Sequence, residues 1–288
     1  MIQARNKLSQ EELSEAKKLI NCCQAYDETY RDPYLSNMLN FDPNMPAFFL
    51  YYEKGELVGL LTVYADDPDV EVAILVHPNH RCQGIARALY RSFEKETASY
   101  PIESVTFQTE RIFLERHPDF ASNWGLVEDE ETETWLGKDR RPYPLANVSN
   151  LEVLLADRSY QDQISQLKFQ AFSEDHESRE VVDRYVAKAL KDPESLLYIL
   201  LKNGQVIGTC TVDLSSNTNY LYGLAIAELE RGQGYGSYLA KSLVNKLIEQ
   251  NDKEFQIAVE DSNVGAKRLY EKIGFVKQTQ VVYLNAKE

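Results

Sequence analysis

A short glycine-rich stretch, Arg231-Gly232-Gln233-Gly234-Tyr235-Gly236, has the residue types of an anion-binding turn. It follows a strand-like run, Tyr220 to Ala227, and precedes a periodic run that predicts a helix from about Gly234. Glycines at such a turn let the backbone approach a ligand closely, and the free N–H groups at the start of a helix attract phosphate. A plain turn explains a single Gly-x-Gly equally well, so this stretch alone does not fix a function.

The same arrangement occurs earlier in the chain, at Arg81-Cys82-Gln83-Gly84-Ile85-Ala86, again between an apolar run and a predicted helix. The two arginines are 150 residues apart (231 − 81), and the turns at Gly55 and Gly204 are 149 residues apart (204 − 55). A repeated loop inside a repeated order of hairpin, strand, loop and helix indicates a tandem duplication.

Length and composition agree with two domains. A chain of 288 residues is long enough for two cores of ordinary size. We predict a first domain over 1–138, a linker over 139–150 that contains Pro142 and Pro144, and a second domain over 151–288. The 43% apolar and 26% charged fractions are those of a globular protein.

The net charge of −14 argues against a nucleic acid partner. An acidic surface favours a cationic small molecule or a basic peptide, although the charge equally serves to keep the protein in solution. No run approaches the roughly 18 apolar residues of a membrane helix, and the N-terminus has no signal-peptide core, so we expect a cytoplasmic protein without a membrane partner. The four cysteines lack zinc-site spacing and the four histidines do not cluster with them, so no metal is expected.

The periodicity of each half predicts short strands and longer helices. Ser9 and Glu12 have the spacing of a capping box, which predicts a helix beginning there. Residues 26–46 contain three prolines and are expected to form an irregular loop over a substrate site, and Pro118 is expected to interrupt a helix. Each half is therefore predicted to be α+β, a mixed and mostly antiparallel sheet with helices on both faces.

The residues now carry a family resemblance. Asn263-x-x-Ala266-x-x-Leu269-Tyr270-x-x-x-Gly274-Phe275, downstream of the second glycine loop, resembles the GCN5-related N-acetyltransferases. Residues 76–86 resemble the acetyl-coenzyme-A loop of the same family. The resemblance covers most of both halves, and the tandem arrangement also resembles mycothiol synthase, in architecture only.

The resemblance implies that acetyl-coenzyme A is the co-substrate. The loop N–H groups would hold its pyrophosphate, the strand before the loop would pair with its pantetheine arm, and the next strand, 255–259, would splay away to leave a cleft. Asn263 would cap its helix and contact the cofactor, although capping alone explains it. The implied binding residues are Leu224, Ala225, Ile226, Arg231, Gly232, Gln233, Gly234, Tyr235, Gly236 and Asn263, and in the first half Leu75, Val76, Arg81, Cys82, Gln83, Gly84, Ile85 and Ala86.

The implied chemistry needs a neutral amine, a donor for the oxyanion and an acid for the leaving thiolate. A backbone N–H of 224–226 would be the donor, and Tyr270 matches the family's acid, although packing on a helical stripe also explains an aromatic there. No general base is assigned: Asp213, Glu228 and Glu260 are carboxylates near the site by the strand assignment, and Glu71 is the corresponding candidate in the first half.

The first half departs from the family pattern. Asn123-Trp124-Gly125-Leu126 stands where Gly-Phe is expected, and the segment before it lacks a matching tyrosine. We therefore expect the second half to acetylate a primary amine of a small molecule or peptide. The first half is expected to bind coenzyme A weakly or as a vestigial site, or to shape the substrate cleft. The alternative is a non-catalytic acyl-coenzyme-A-binding sensor or scaffold. The sequence leaves the oligomeric state open, with a homodimer among the alternatives.

Overall fold

The computed structural model describes residues 1–146, 148–172 and 178–287. The chain divides into two compact units, which we call unit 1 (Met1–Trp135, Glu260–Ser262 and Gln278–Glu288) and unit 2 (Leu136–Val259 and Asn263–Lys277). The last strand of the chain thus lies in unit 1. The predicted domains are continuous in sequence, whereas the compact units are not, because strand pairing places C-terminal residues in unit 1. The domain boundaries given above therefore stay a prediction.

The helices and strands, in chain order, are β1 (Ile2–Arg5), α1 (Gln10–Asp27), β2 (Phe48–Glu53), β3 (Glu56–Tyr64), β4 (Asp69–Val76), α2 (Ile85–Thr97), β5 (Ser104–Glu110), α3 (Arg111–Arg116), α4 (Phe120–Trp124), β6 (Leu126–Lys138), β7 (Leu151–Leu155), α5 (Gln161–Phe172), α6 (Arg179–Ala189), β8 (Ser195–Lys202), β9 (Gln205–Asp213), β10 (Asn219–Ile226), α7 (Tyr235–Ile248), β11 (Phe255–Glu260), α8 (Val264–Lys272) and β12 (Val276–Ala286). Sequence periodicity did not predict β1, because its four residues are too few to show a pattern. Antiparallel pairing with β2 holds β1 in place.

Local signals fix several element boundaries. The Ser9 hydroxyl accepts the Glu12 backbone N–H at 3.2 Å, and the Glu12 carboxylate accepts the Ser9 N–H at 2.8 Å, so the predicted capping box is confirmed. α3 ends at Arg116 and α4 begins at Phe120. The predicted break at Pro118 is therefore confirmed, since proline lacks the N–H that a continuous helix needs.

The sheet of unit 1 has the strand order β1-β2-β3-β4-β5-β12-β6. β4 and β5 are parallel and pair from Asp69–Ser104 to Val72–Phe107. Beyond that point β5 pairs with β12 instead, through Glu110–Val281 to Phe107–Leu284. β4 and β5 therefore diverge, which opens a cleft between Ala73–Val76 and the end of β5.

The sheet of unit 2 contains the run β11-β10-β9-β8-β7. Its parallel pair, β10 and β11, is joined over only three register pairs, from Asn219–Phe255 to Leu221–Ile257. The following part of β10, up to Ile226, leads into the second glycine loop and separates from β11. Unit 2 therefore repeats the diverging parallel pair of unit 1, as the family resemblance implied.

Each unit has an apolar core on the face of its sheet that carries the helix after the glycine loop. In unit 1, Ile85, Leu89 and Phe93 of α2 are buried against the sheet. In unit 2, Leu239, Leu243 and Leu247 of α7 do the same. These stripes fix the direction of each helix, and hence the position of its N-terminus at the mouth of the cleft.

Candidate active site

The two glycine loops are built in the same way. Gly84 and Gly234 precede α2 and α7 with left-handed backbone angles of φ 82° and φ 85°, which favour glycine. The Arg81 Nε donates to the Val76 carbonyl at 3.0 Å, and the Arg231 Nε donates to the Ile226 carbonyl at 3.1 Å. In both loops the arginine thus anchors the loop to the end of the preceding strand.

Both loops leave room for a ligand. Among the described residues, no atom lies within 4 Å of where a Cβ would stand on Gly84, Gly232 or Gly234. The N–H groups in the first turn of a helix have no partner within that helix, and the helix dipole makes this end positive. Open space in front of such N–H groups is what a pyrophosphate needs.

The loops differ at the position two residues before the helix cap. Unit 2 has Gly232 there, with φ 76°, and unit 1 has Cys82, with φ 59°. A left-handed conformation is costly for a residue with a Cβ. The loop of unit 1 keeps the shape of the unit 2 loop in spite of this cost.

An ion pair anchors the first loop to α1. The Arg81 guanidinium donates to both carboxylate oxygens of the buried Asp27, at 2.7 and 2.5 Å. Hydrogen bonding to Asp27 raises the pKa of Arg81 above its already high value. Arg231, by contrast, is exposed. Sequence reasoning did not find Asp27, because 54 residues separate it from Arg81 and only the fold brings the two together.

The diverging strands of unit 1 form a cleft of about 730 Å³. It contains seven of the predicted cofactor residues, namely Leu75, Val76, Arg81, Cys82, Gly84, Ile85 and Ala86. Its lining also includes the aromatic side chains of Phe113, Phe120 and Trp124, and basic side chains from His80, Arg87, Arg116 and His117. The two arginines among these suit an anionic ligand, and the lining also includes the carboxylates of Asp27, Glu110 and Asp119.

Gln108 lines the unit 1 cleft and bonds a carboxylate that is not part of the lining. The Gln108 amide donates to the half-buried Glu71 carboxylate, which joins β4 to β5 where they begin to diverge. Burial raises the pKa of Glu71 to about 7, with Glu133 and Asp66 adding to the shift and Arg31 opposing it. A carboxylate that titrates near neutral pH is able to accept a proton from an amine.

The irregular segment after α1 lies over this cleft. The Glu110 carboxylate accepts the backbone N–H of Tyr30 at 2.9 Å and that of Arg31 at 3.0 Å. Thr29, Arg31 and Pro33 are among the residues that line the cleft. Part of 26–46 therefore contributes to the lining of the unit 1 cleft, and its expected place over a substrate site stays a prediction.

In unit 2 the strand before the glycine loop carries a β-bulge. Tyr222 of β10 pairs with Thr211 of β9, and the next pair is Ala225 with Thr209. Between these pairs β10 moves on by three residues and β9 by two, so β10 contains one extra residue. Gly223 takes φ 58°, the left-handed conformation that such an extra residue needs. The bulge takes backbone groups near Leu224 out of the ladder, at the point where β10 leaves β11.

Tyr270 lies in the core of unit 2. It projects from α8, is 5% exposed, and its ring centroid is 6.1 Å from that of Phe275. Burial raises the pKa of its phenol well above the usual value of 10, and the nearby Cys210 adds to this shift. The phenol is protonated at neutral pH, as an acid must be, but the raised pKa makes proton release harder, and the packing of the ring also fits a structural role.

Asn263 caps α8. Its side-chain oxygen accepts the Ala266 backbone N–H at 3.0 Å, so the predicted capping role is confirmed. The base candidates of the second half differ in environment: Glu228 and Glu260 are exposed, whereas Asp213 is largely withdrawn from solvent. Burial raises the pKa of Asp213 to about 6, and hydrogen bonds from Ser215 oppose this shift.

Lys168 is a further charged residue at the site. It lies on α5 one turn after the buried Ile164, and only 5% of it is exposed. Its Nζ lies 2.6 Å from where a Cβ on Gly223 would stand. A lysine on the apolar stripe of an amphipathic helix was the sequence signal for this residue.

Among the described residues, no group of three or more His, Cys, Asp and Glu side chains is placed to hold a metal ion. His77 and His80 pack edge to face at 5.4 Å, and His176 lies outside the described residues. In the part of the chain that the structure describes, no helix is long and apolar enough to cross a membrane.

The sequence profile of the acetyltransferase (GNAT) family matches residues 13–137 and again residues 161–275. The chain belongs to this family. The predicted family and the tandem duplication are thereby confirmed, and the splayed strands and glycine loops of the two units are GNAT features present twice.

Relatives agree with this assignment. A mycothiol acetyltransferase of Clavibacter sepedonicus is 26% identical over 230 residues, which cover 76% of this chain and 73% of that protein. A GCN5-related N-acetyltransferase from Sphaerobacter thermophilus superposes with a TM-score of 0.70 at 17% identity, over 99% of this chain and 94% of that one. A tandem GNAT protein from the clavulanic acid biosynthesis pathway superposes with a TM-score of 0.69 at 15% identity, over 100% of this chain and 99% of that one. The predicted α+β fold with two GNAT-like halves is confirmed.

Proposed function

We propose that this chain is an acetyl-coenzyme-A-dependent N-acetyltransferase whose chemistry takes place in unit 2. The observation that carries the proposal is the bulge in β10, which frees backbone groups at the place where the parallel strands diverge. An N–H held there by the backbone is a preorganised donor for an oxyanion. In unit 1, β4 pairs with β3 without interruption from Gly59–Val76 to Tyr64–Glu71.

The acetyl donor would bind along β10. The N–H groups at the start of α7 would hold its pyrophosphate in the open space over Gly232 and Gly234. The amide-rich pantetheine arm would pair with the backbone of 224–226, in the gap that β11 leaves. Each of these contacts uses backbone groups, so they depend on the fold more than on side chains.

The reaction then balances with this chain's own groups. The acceptor ammonium loses a proton to water or to a carboxylate, and its nitrogen attacks the thioester carbonyl carbon. The oxyanion accepts the N–H at the bulge while the C–N bond forms. The C–S bond then breaks, and the thiolate takes the phenolic proton of Tyr270. The attacking nitrogen loses its second proton to water, and the Tyr270 phenolate regains a proton from water before the next turnover. No general base is assigned.

Unit 1 would bind coenzyme A without turning it over. Counting four residues back from the left-handed Gly125, as Tyr270 stands four before Gly274, gives Ala121, which has no proton to donate. The basic and aromatic lining of the unit 1 cleft supports tight binding of the nucleotide end. Unit 1 would then be a second coenzyme A site without catalysis, with a regulatory or structural role.

The acceptor is proposed to be a primary amine of a small molecule or peptide. The relation to a mycothiol acetyltransferase supports a small-molecule acceptor, and the net charge of −14 supports a cationic one. At 26% identity this relation does not extend to the acceptor itself.

The test is thiol release from acetyl-coenzyme A with polyamines, aminoglycosides, amino acids and basic peptides as acceptors. The same preparation is titrated with coenzyme A by calorimetry. We expect turnover with one acceptor class and two coenzyme A per chain. Binding without turnover on any acceptor would favour the sensor, and two catalytically competent sites would contradict the assignment of chemistry to unit 2.

A further inference from the structure

Lys168 brings a primary amine to the reactive end of unit 2. Its side chain crosses from α5 to the bulge in β10, and its Nζ nearly touches the position of a Cβ on Gly223. The Tyr185 ring of α6 lies beside the same ammonium, with its centroid 5.8 Å away. A long aliphatic stem with its charge held at one end is thus buried among α5, α6 and β10.

Lys168 and Tyr270 approach the same part of the sheet. The Lys168 ammonium lowers the pKa of Cys210, which burial raises to about 12, and Cys210 in turn influences Tyr270. The Cys210 thiol contacts the Tyr222 carbonyl, at the start of the bulge, at 3.6 Å. Cys210 lies on β9 between Thr209 and Thr211, the residues that pair on either side of the bulge, and it packs in the same core as Tyr270.

An acetyl group at the bulge would have the amine of Lys168 next to it. A nucleophile must stand within about 3–3.5 Å of the carbon that it attacks. The proposed oxyanion donor places that carbon beside Gly223, where the Lys168 Nζ already lies. The lysine therefore occupies the place that the proposed mechanism gives to the acceptor nitrogen.

We propose that unit 2 acetylates its own Lys168, an inference that rests on the proposed function of unit 2. The ammonium loses one proton to water, and the neutral nitrogen attacks the thioester carbon. The N–C bond forms, the C–S bond breaks, and the thiolate takes the proton of Tyr270. The attacking nitrogen releases its second proton to solvent, and the Tyr270 phenolate takes one proton back from solvent, so the amide is neutral and the phenol is restored. Acetyl-coenzyme A is the only co-reactant, and the products are an amide on Lys168 and free coenzyme A.

Acetylation changes both the charge and the length of this side chain. It converts the Lys168 ammonium into a neutral amide and adds an acetyl group at the bulge. The acetylated side chain would also fill the acceptor end of the cleft. Self-acetylation would therefore happen once per chain and would reduce turnover of external amines.

The experiment uses the native chain, incubated with acetyl-coenzyme A and no added amine, followed by intact mass measurement and peptide mapping. We expect one acetyl group per chain, located on Lys168. Lys168→Arg keeps the charge and should lose the modification, whereas Lys246→Arg, on the exposed face of α7, should keep it. The peptide map of the native chain gives the answer even if Lys168→Arg fails to fold.

Tyr270→Phe separates enzymatic from spontaneous acetylation. We expect it to slow the modification of Lys168 about as much as it slows turnover of an external amine, and to leave exposed lysines unaffected. Equal acetylation of Lys246 and Lys168 would overturn the proposal. An unmodified Lys168 alongside turnover of external amines would also overturn it, while the proposed function would stand; the absence of both reactions would overturn both.

Discussion

The strand that leads into the glycine loop is regular in unit 1 and bulged in unit 2. The loops themselves share their backbone angles at the helix cap, their arginine anchors and their open space. The duplication has therefore kept the glycine loop, to which we assign the phosphate, and changed the strand before it, to which we assign the acetyl group. In this proposal binding and chemistry depend on different residues, so one is able to change without the other.

The anchoring of the loops differs in charge as well. In unit 1 the His80 ring bonds the Glu53 carboxylate at 2.9 Å, and at the repeated positions of unit 2 Lys202 pairs with Glu230 at 2.8 Å. The order of the basic and acidic residues is reversed between the units. The residue just before the glycine loop is the basic His80 in unit 1 and the acidic Glu230 in unit 2. Arg87 of unit 1 has Ser237 at the repeated position of unit 2, which adds a second difference in charge between the two loops.

The largest expected effect is that of removing the phenol. Tyr270→Phe should lower kcat by about 10²-fold, the lower end of what a general acid contributes, and leave coenzyme A affinity unchanged. Steady-state kinetics and calorimetry would measure both. The matched control is Tyr198→Phe, a buried tyrosine of the same core whose hydroxyl lies elsewhere, and it should retain kcat. An unchanged kcat in Tyr270→Phe would remove this residue from the mechanism.

The bulge provides the second test. Gly223→Ala places a Cβ 2.6 Å from the Lys168 Nζ, so the end of that side chain must move, and φ 58° is a strained backbone angle for a residue with a Cβ. Loss of one oxyanion donor costs about 10²-fold in kcat, and we expect a fall of up to that size. Ala73→Gly, in the regular β4 of unit 1, is the control and should leave kcat within about twofold. Equal effects of the two substitutions would show that the bulge is not what separates the units.

The third test concerns binding in unit 1. Asp27→Asn leaves the half-buried Arg81 without its carboxylate, which should cost about 1–3 kcal/mol of folding free energy and weaken the unit 1 coenzyme A site. Denaturant unfolding and calorimetric stoichiometry would measure these effects, with kcat unchanged. Glu28→Gln removes the more exposed partner of Arg116 and should cost less than about 1 kcal/mol. A fall in kcat with Asp27→Asn would place chemistry in unit 1.

The smallest effect is a pH dependence that differs between units. The pKa of Glu71 is raised from 4.5 to about 7, so between these values the folded chain holds a proton that the unfolded chain has lost. The free energy of unfolding therefore falls as pH rises through this window. Glu71→Gln should be more stable than the native chain at pH 8, by a few degrees in Tm, and should match it below about pH 4.5.

Asp213 gives the unit 2 counterpart. Its pKa is raised from 3.8 to about 6. The free energy of unfolding therefore also falls as pH rises, but the fall ends about one pH unit lower than for Glu71. Thermal unfolding of Asp213→Asn and Glu71→Gln from pH 4 to pH 8 would resolve the two windows. A stability gain that grows as pH falls, in either variant, would contradict the environments described above.

The spacing of the two repeats in the sequence indicates one extra residue in the second half, but it does not show that this residue forms a bulge in β10. The arginines repeat after 150 residues and the hairpin turns after 149, so one extra residue lies between the second hairpin and the second loop. Only strand pairing locates it, since an insertion in a strand shows itself as a register shift between Tyr222 and Ala225. Spacing alone cannot distinguish a bulge from a longer turn.

What the sequence determined by itself is local. The capping box at Ser9, the break at Pro118 and the two glycine loops follow from residue types within a few positions, because they depend on backbone preferences and short-range hydrogen bonds. The tertiary structure decided which strand closes unit 1, which acid holds Arg81 and which amine lies at Gly223. These pairings join residues far apart in the chain, and only burial in a shared core brings such residues within contact distance.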